Sequence, residues 1–197
     1  MASLHPTKQL LRDTAVALID EHGPQGFTVE QLLEVSKISK GSLYHHFEDF
    51  SDVIEQAQVA RFARFIDDDI RSISYLLSST HSREEMFDQF IGIVAVASDP
   101  VRKVARSDRA TIIGLARHSE KFAALLAVEQ QRLTDALTDV VRELQERGWL
   151  SRDLEPQVVA VFLQAYSFGK IIDDIAVSPV NADQWSSFID MMLRKTF

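Results

Sequence analysis

The sequence predicts an all-α protein, with a small N-terminal head of three helices followed by a larger helical body. Three observations carry this. Apolar residues return every three or four positions nearly from end to end, and no stretch alternates long enough to make a strand. Only 7 Gly and 5 Pro are spread over 197 residues, too few for the many tight turns of an all-β chain. The breaks in the apolar pattern also coincide with residues that cap helices.

In the first helix, Leu10, Leu11, Ala15, Leu18 and Ile19 recur at helical spacing, and Gly23-Pro24-Gln25-Gly26 ends it. Thr28-Val29-Glu30-Gln31 reads as a capping box. The Thr28 hydroxyl accepts from the third backbone N–H, and Gln31 reaches back. It opens a short helix carrying Val29, Leu32 and Leu33, which breaks at Lys37-Ile38-Ser39. Ser39 caps a third helix, Lys40 to Phe47, and Asp49 caps a much longer fourth, expected to run to about Leu77.

Ser82 caps the next helix, with Met86, Phe87, Phe90, Ile91 and Val94. Asp99-Pro100 starts another, since Pro suits the first helical position. A long helix from about Glu120 carries Leu125, Leu126, Leu133, Leu137, Val140, Val141 and Leu144, and stops at Gly148. Pro156 opens a helix expected to persist past Ile172 to Ser178-Pro179. The last helix shows Trp185, Phe188, Ile189, Met192 and Leu193. The expected division is a head of residues 1–50 and a body of residues 51–197.

Composition excludes several classes of function. With no Cys there is no disulfide framework, thiolate metal site or Cys nucleophile. No Gly-x-Ser-x-Gly elbow, phosphate loop or His-Glu-x-x-His occurs, so no catalytic residues are assigned and no enzyme is expected. No cofactor and no metal is expected either. The N-terminus lacks a basic patch followed by an apolar run, and stretches such as Ile91 to Ala97 are too short to span a bilayer, so a cytoplasmic protein without membrane partners is expected. The net charge of −8 argues against non-specific binding to nucleic acid over a broad surface. It leaves room for a small contacting element, because affinity follows the charges near phosphate.

Ser39-Lys40-Gly41-Ser42-Leu43-Tyr44-His45-His46-Phe47 is the most informative run. On a helix, Leu43 and Phe47 share a face and belong to the head's core. Gly41, Ser42 and His45 lie opposite, flanked by Tyr44 and His46. Small groups thus sit where a helix must approach DNA closely, and hydroxyl and imidazole donors surround them. Ser42 and His45 are placed for base edges, and Tyr44, His46 and Lys40 for phosphates. Residues 28–47 also fit a plain corner between two helices of a helical protein. The adjacent His45 and His46 point apart on a helix, which argues against a metal site.

This nonapeptide resembles the recognition-helix signature of the TetR family of transcriptional regulators. Leu10-Leu11, Ala15, Leu18, Gly23, Gly26, Thr28-Val29 and Leu32 fall where that family's first two helices want them, so about 45 residues carry the resemblance. It implies a helix-turn-helix DNA-binding domain and a helical ligand-binding and dimerisation domain. The implied function is a homodimeric repressor released from a double-stranded DNA operator by a small-molecule effector. Carried over residue by residue, the DNA contacts are Thr28, Lys40, Gly41, Ser42, Tyr44, His45 and His46.

Three departures bear on affinity. Lys37 stands where the family often has Gly, at a cost of roughly 1 kcal/mol if the backbone there is left-handed. Phe50 stands where many relatives carry a phosphate-contacting Lys. Residues 1–50 hold four basic side chains (Lys8, Arg12, Lys37, Lys40) against seven acidic ones, a net of −3. This predicts modest affinity and a shallow salt slope. A helical interaction module with weak or lost DNA binding is the alternative reading.

In the body, Phe62, Phe65, Ile66, Phe87, Phe90, Val94, Ile113, Phe122, Leu126, Phe162 and Tyr166 form an aromatic-rich set. Each fits either plain core packing or the lining of a pocket for a hydrophobic effector. The resemblance favours a cavity. Arg102, Lys103, Arg106, Arg109, Arg117 and Lys121 give residues 100–121 a local excess of four positive charges, fit for an anionic effector or for a solvated helix face. Asp67-Asp68-Asp69 reads as a solvated helix turn. Phe162, Ala165, Gly169, Ile172, Trp185, Phe188, Ile189 and Met192 form apolar stripes on the last two helices. Two chains could pair them in a four-helix bundle whose two-fold axis matches a palindromic operator. Alternatively, the stripes are used up within one chain; the resemblance favours the dimer.

Overall fold

The structure, a computed structural model, describes residues 5–95 and 100–196, with side chains at 5–92 and 101–196. The side chain of Val94, a pocket candidate, and Asp99, an expected helix start, lie outside what is described. The described residues are helical throughout, joined by short turns. The helices are α1 (Pro6–His22), α2 (Val29–Ser36), α3 (Lys40–His46), α4 (Phe50–Ser79), α5 (Arg83–Ala95), α6 (Pro100–Leu115), α7 (Glu120–Glu146), α8 (Pro156–Gly169), α9 (Ile171–Asp174) and α10 (Ala182–Thr196). A 3-10 turn, Ala116–His118, joins α6 to α7.

The caps form as the residue types dictate. Gln31 N–H donates to the Thr28 hydroxyl at 3.3 Å and Thr28 N–H to the Gln31 side chain at 2.8 Å, closing the capping box. Ser39, Asp49 and Ser82 accept from the N–H groups of Ser42, Asp52 and Glu85 at 3.2, 2.8 and 3.2 Å. Gly26 is required by contact: a Cβ there would stand 1.9 Å from the His22 carbonyl oxygen.

The chain folds as two compact units. The first comprises residues up to Arg64 together with Leu115–Leu126; the second comprises Phe65–Gly114 together with the residues from Ala127 onward. In the first, α1 packs on α2 and α3. Leu11, Ala15, Leu18, Ile19, Phe27, Leu32, Leu43, Phe47, Val53 and Ala57 form one buried cluster, so the start of α4 completes the head's core. In the second, Leu76, Met86, Phe87, Val141, Leu144, Leu150, Val159, Ile189 and Leu193 form another. The close packing of α10 on α5 belongs to it.

One helix is shorter than the sequence predicts. α8 ends at Gly169 instead of continuing to Ser178-Pro179, and α9 follows as a single turn. Gly has the weakest helix preference of any residue but Pro. Just beyond it the Asp173 carboxylate takes the Lys170 ammonium and, at 2.9 Å, the Val180 N–H, folding the chain into a turn.

Candidate nucleic-acid interface

α3 divides its residues as the sequence pattern requires. Leu43 and Phe47 are 0% and 3% exposed and lie in the head's core, whereas Lys40, Gly41, Tyr44 and His45 are exposed and Ser42 and His46 half-buried. A Cβ built on Gly41 meets nothing within 4 Å, so the chain itself leaves open space beside this helix. Six of the seven predicted DNA contacts therefore share α3. Thr28 is exposed at the start of α2, with its hydroxyl engaged in the cap.

Two residues of this surface escape the sequence reading. The His5 ring lies 4.7 Å from that of His46, which in turn lies 5.0 Å from that of His45. Lys8 places its ammonium 5.1 Å from the centre of the Phe47 ring. His5 caps α1 and Lys8 lies in its first turn, far from α3 in sequence, and no spacing pattern connects them to it. The surroundings hold His46 below the ordinary histidine value, through desolvation first and then through repulsion by His5, His45 and Lys8.

The departures take definite forms. Lys37 adopts the left-handed conformation, with φ 58° and ψ 24°. Phe50 is not a surface group; it is half-buried, with its ring edge-on to Phe27 at 5.7 Å. The acidity of the head is partly neutralised within its own unit. Asp20 accepts from Arg61 and Arg64 of α4 at 2.7 and 3.0 Å. Burial pushes the Asp20 carboxyl up, but these two guanidinium groups outweigh it and hold it below the usual range.

The other predicted sites fare less simply. Of the pocket candidates, Phe62, Phe122 and Leu126 are buried in the first unit. The others with described side chains belong to the second, where Ile66 and Phe87 are buried, Phe65, Phe90 and Tyr166 half-buried, and Ile113 and Phe162 exposed. Tyr166 stacks on Trp185 at 5.8 Å, and burial pushes its hydroxyl up to about 12. Two shallow, open depressions lie beside Val158 and Val161 and beside Val128 and Arg132.

Three of the six cations in the basic run are paired with carboxylates. Arg106 forms a two-pronged pair with Asp174 at 2.7 and 2.8 Å, and Arg109 meets Asp69 at 2.7 Å. Lys121 meets both Glu48 and Asp52. Asp67 and Asp68, for their part, pair with Arg132 and Arg71. Among the described residues no cluster of acidic or His side chains is arranged to hold a metal ion.

The apolar stripe of α10 splits in two. Ile189 and Leu193 are buried in the core of their own unit and Trp185 packs against it, while Phe188, Met191 and Met192 stay exposed. Ile189 is thus buried within its own chain, and Trp185 is half-buried against the same core. Val158, Val161, Phe162 and Ala165 line an exposed strip of α8, and Ile172 of α9 is exposed as well.

A three-helix head that exposes a short polar helix, joined to a long helical body, defines the class of helix-turn-helix DNA-binding regulators. Residues 11–57 match the family described as bacterial regulatory proteins, tetR family. Residues 94–193 match that described as BetI-type transcriptional repressor, C-terminal. The chain belongs to the TetR family, and is a transcriptional regulator of the repressor type rather than an enzyme.

The HTH-type transcriptional regulator UidR of Escherichia coli strain K12 is 23% identical over 175 residues, covering 85% of this chain and 81% of that protein. A TetR-family regulator structure from Mesorhizobium loti superposes with a TM-score of 0.67 at 15% identity, over 96% of this chain and 94% of that one. AibR, solved in complex with isovaleryl coenzyme A and operator DNA, superposes with a TM-score of 0.54 at 18% identity, over 97% of this chain and all (100%) of that one. Among the described residues no helix is long and apolar enough to cross a membrane.

Proposed function

We propose that this chain is a cytoplasmic, homodimeric repressor that holds a palindromic operator through α3 and is released by a small hydrophobic or anionic effector. DNA reading falls to residues 1–50; effector binding and dimerisation fall to residues 51–197. The observation that carries this is the two-sidedness of α3. It anchors itself by Leu43 and Phe47 and presents Lys40, Tyr44 and His45 around the open space beside Gly41. Ser42 and His45 read base edges, while Lys40, Tyr44, His46 and Thr28 hold the backbone.

The exposed apolar strips of α8 and α10, centred on Phe162, Ala165, Phe188 and Met192, support a two-fold interface. Such symmetry would present two copies of α3 to two half-sites. A homologous fold seen with both an acyl thioester and operator DNA supports an effector in the body. The effector acts by binding the DNA-free arrangement more tightly, shifting the population away from the operator-competent one.

The test is selection of binding sequences from a random duplex pool at physiological salt, with Tyr44→Ala in parallel. Enrichment of a palindrome by the native protein alone supports the reading. Equal retention by both proteins, or no enrichment, counts against it.

A further inference from the structure

We propose that His5 and Lys8 of α1 join His45 and His46 of α3 in one DNA-phosphate-binding cluster that takes up a proton when it grips the backbone. This rests on the operator-binding reading above. Three imidazoles form a chain, with ring centres 4.7 Å apart between His5 and His46 and 5.0 Å between His46 and His45. His5 and His45 are exposed, as is Tyr44. Lys8 stands beside them, over the Phe47 ring.

The tautomer of His5 follows from its cap. Its Nδ1 accepts from the Thr7 N–H at 3.3 Å, so its proton lies on Nε2, free to donate outward. The groups acting on His46 are all cations or become cations on protonation: His5 and Lys8 from α1, and His45 from its own helix. The carboxylates that follow α3 are engaged elsewhere, Glu48 by Lys121 and Asp49 by the Asp52 N–H. Asp13 on α1 pairs with Arg12. The free protein thus resists protonating His46, through desolvation first and then through these neighbouring cations. A phosphodiester placed among the rings removes that resistance, because an anion within hydrogen-bond reach favours the charged imidazole.

Linkage fixes the sign. A group that is more basic in the complex than in the free protein binds a proton on association, so affinity rises as pH falls through the histidine range. This would give a head with net negative charge a grip on phosphate that the formal count at neutral pH omits.

The experiment titrates the native full-length protein against the duplex recovered by selection, from pH 8 to pH 6 at fixed ionic strength. Proton uptake is read by calorimetry in two buffers of different ionisation heat. The expected result is a roughly tenfold gain in affinity across this range, with about one proton taken up. His5→Asn keeps an acceptor for the Thr7 N–H, and it and His46→Gln should each flatten the slope while circular dichroism stays native. His22→Gln, outside the cluster, should keep the slope. A flat native profile, or a full slope in both His5→Asn and His46→Gln, would overturn the proposal while leaving operator binding intact. Failure to bind any duplex at any pH would overturn the operator reading and the cluster with it.

Discussion

Lys121, at the start of α7, donates to the Glu48 carboxylate just after α3, 2.9 Å away and 73 positions earlier in the chain. The same ammonium lies 3.1 Å from Asp52, whose carboxylate also accepts from the Glu48 N–H and from Gln56. Burial pushes the Asp52 carboxyl up, but these three donors outweigh it and hold it below its ordinary value of 3.8. A depressed carboxyl contributes stability that is complete above the unfolded-state value and lost as pH falls through the folded one. The stability of the first unit against unfolding should therefore fall below about pH 4. Asp52→Asn should remove part of that acid sensitivity, and Lys121→Met should lessen it. Amide exchange of head residues between pH 3 and pH 7 measures both, and an unchanged acid profile in Asp52→Asn would refute the assignment.

Lys37→Gly should stabilise the head by roughly 1 kcal/mol, because a side chain at φ 58° carries a steric cost that Gly avoids. Lys37→Ala removes the same charge and keeps the strain, so it should gain nothing. Urea titrations of the two variants separate backbone relief from charge.

Gly41→Ala should move stability and DNA affinity in opposite directions. Its new Cβ meets nothing in the protein, and Ala favours the helix by up to about 1 kcal/mol. If the strand backbone comes close at Gly41, the same methyl obstructs it, and operator affinity should fall at least tenfold. A variant that is more stable and binds equally well would show that α3 does not approach DNA at this point.

Asp174→Ala should cost the second unit about 1–3 kcal/mol, because it removes two charge-assisted hydrogen bonds to Arg106 from a site where both side chains are about nine-tenths buried. Thermal unfolding of the native and variant proteins reads this directly. A loss well under 1 kcal/mol would mean that water or a neighbouring acceptor replaces the carboxylate.

Much of this was legible in the sequence where the physics is local. The Thr28–Gln31 box and the caps at Ser39, Asp49 and Ser82 need only neighbours a few positions away, and all four form. The two faces of α3 follow from helical spacing alone. Remote partners were not legible. Arg106 and Asp174 are 68 positions apart, and nothing in a basic run tells which of its charges an acid elsewhere will cover. The His5–His46 contact is hidden for the same reason. The end of α8 at Gly169 depended on where Asp173 finds its donors, which is a tertiary matter.

The split of α10 offers the sharpest test of the dimer. A rotation of about 100° separates neighbouring helix positions, so Phe188 and Ile189 fall on different faces although they adjoin in sequence. Ile189 is 6% exposed and lies in the chain's own core, whereas Phe188 is 49% and Met192 44% exposed. Ile189→Ala should therefore cost about 2–5 kcal/mol of folding stability by leaving a cavity. Phe188→Asp combined with Met192→Asp should leave each chain's helical content intact, since neither side chain fills that core. The same pair places charges in an apolar interface, where desolvation without a partner is strongly unfavourable. Sedimentation velocity should show the native protein as dimer and the double variant as monomer, and operator affinity should fall with it. A double variant that remains dimeric would move the interface away from α10.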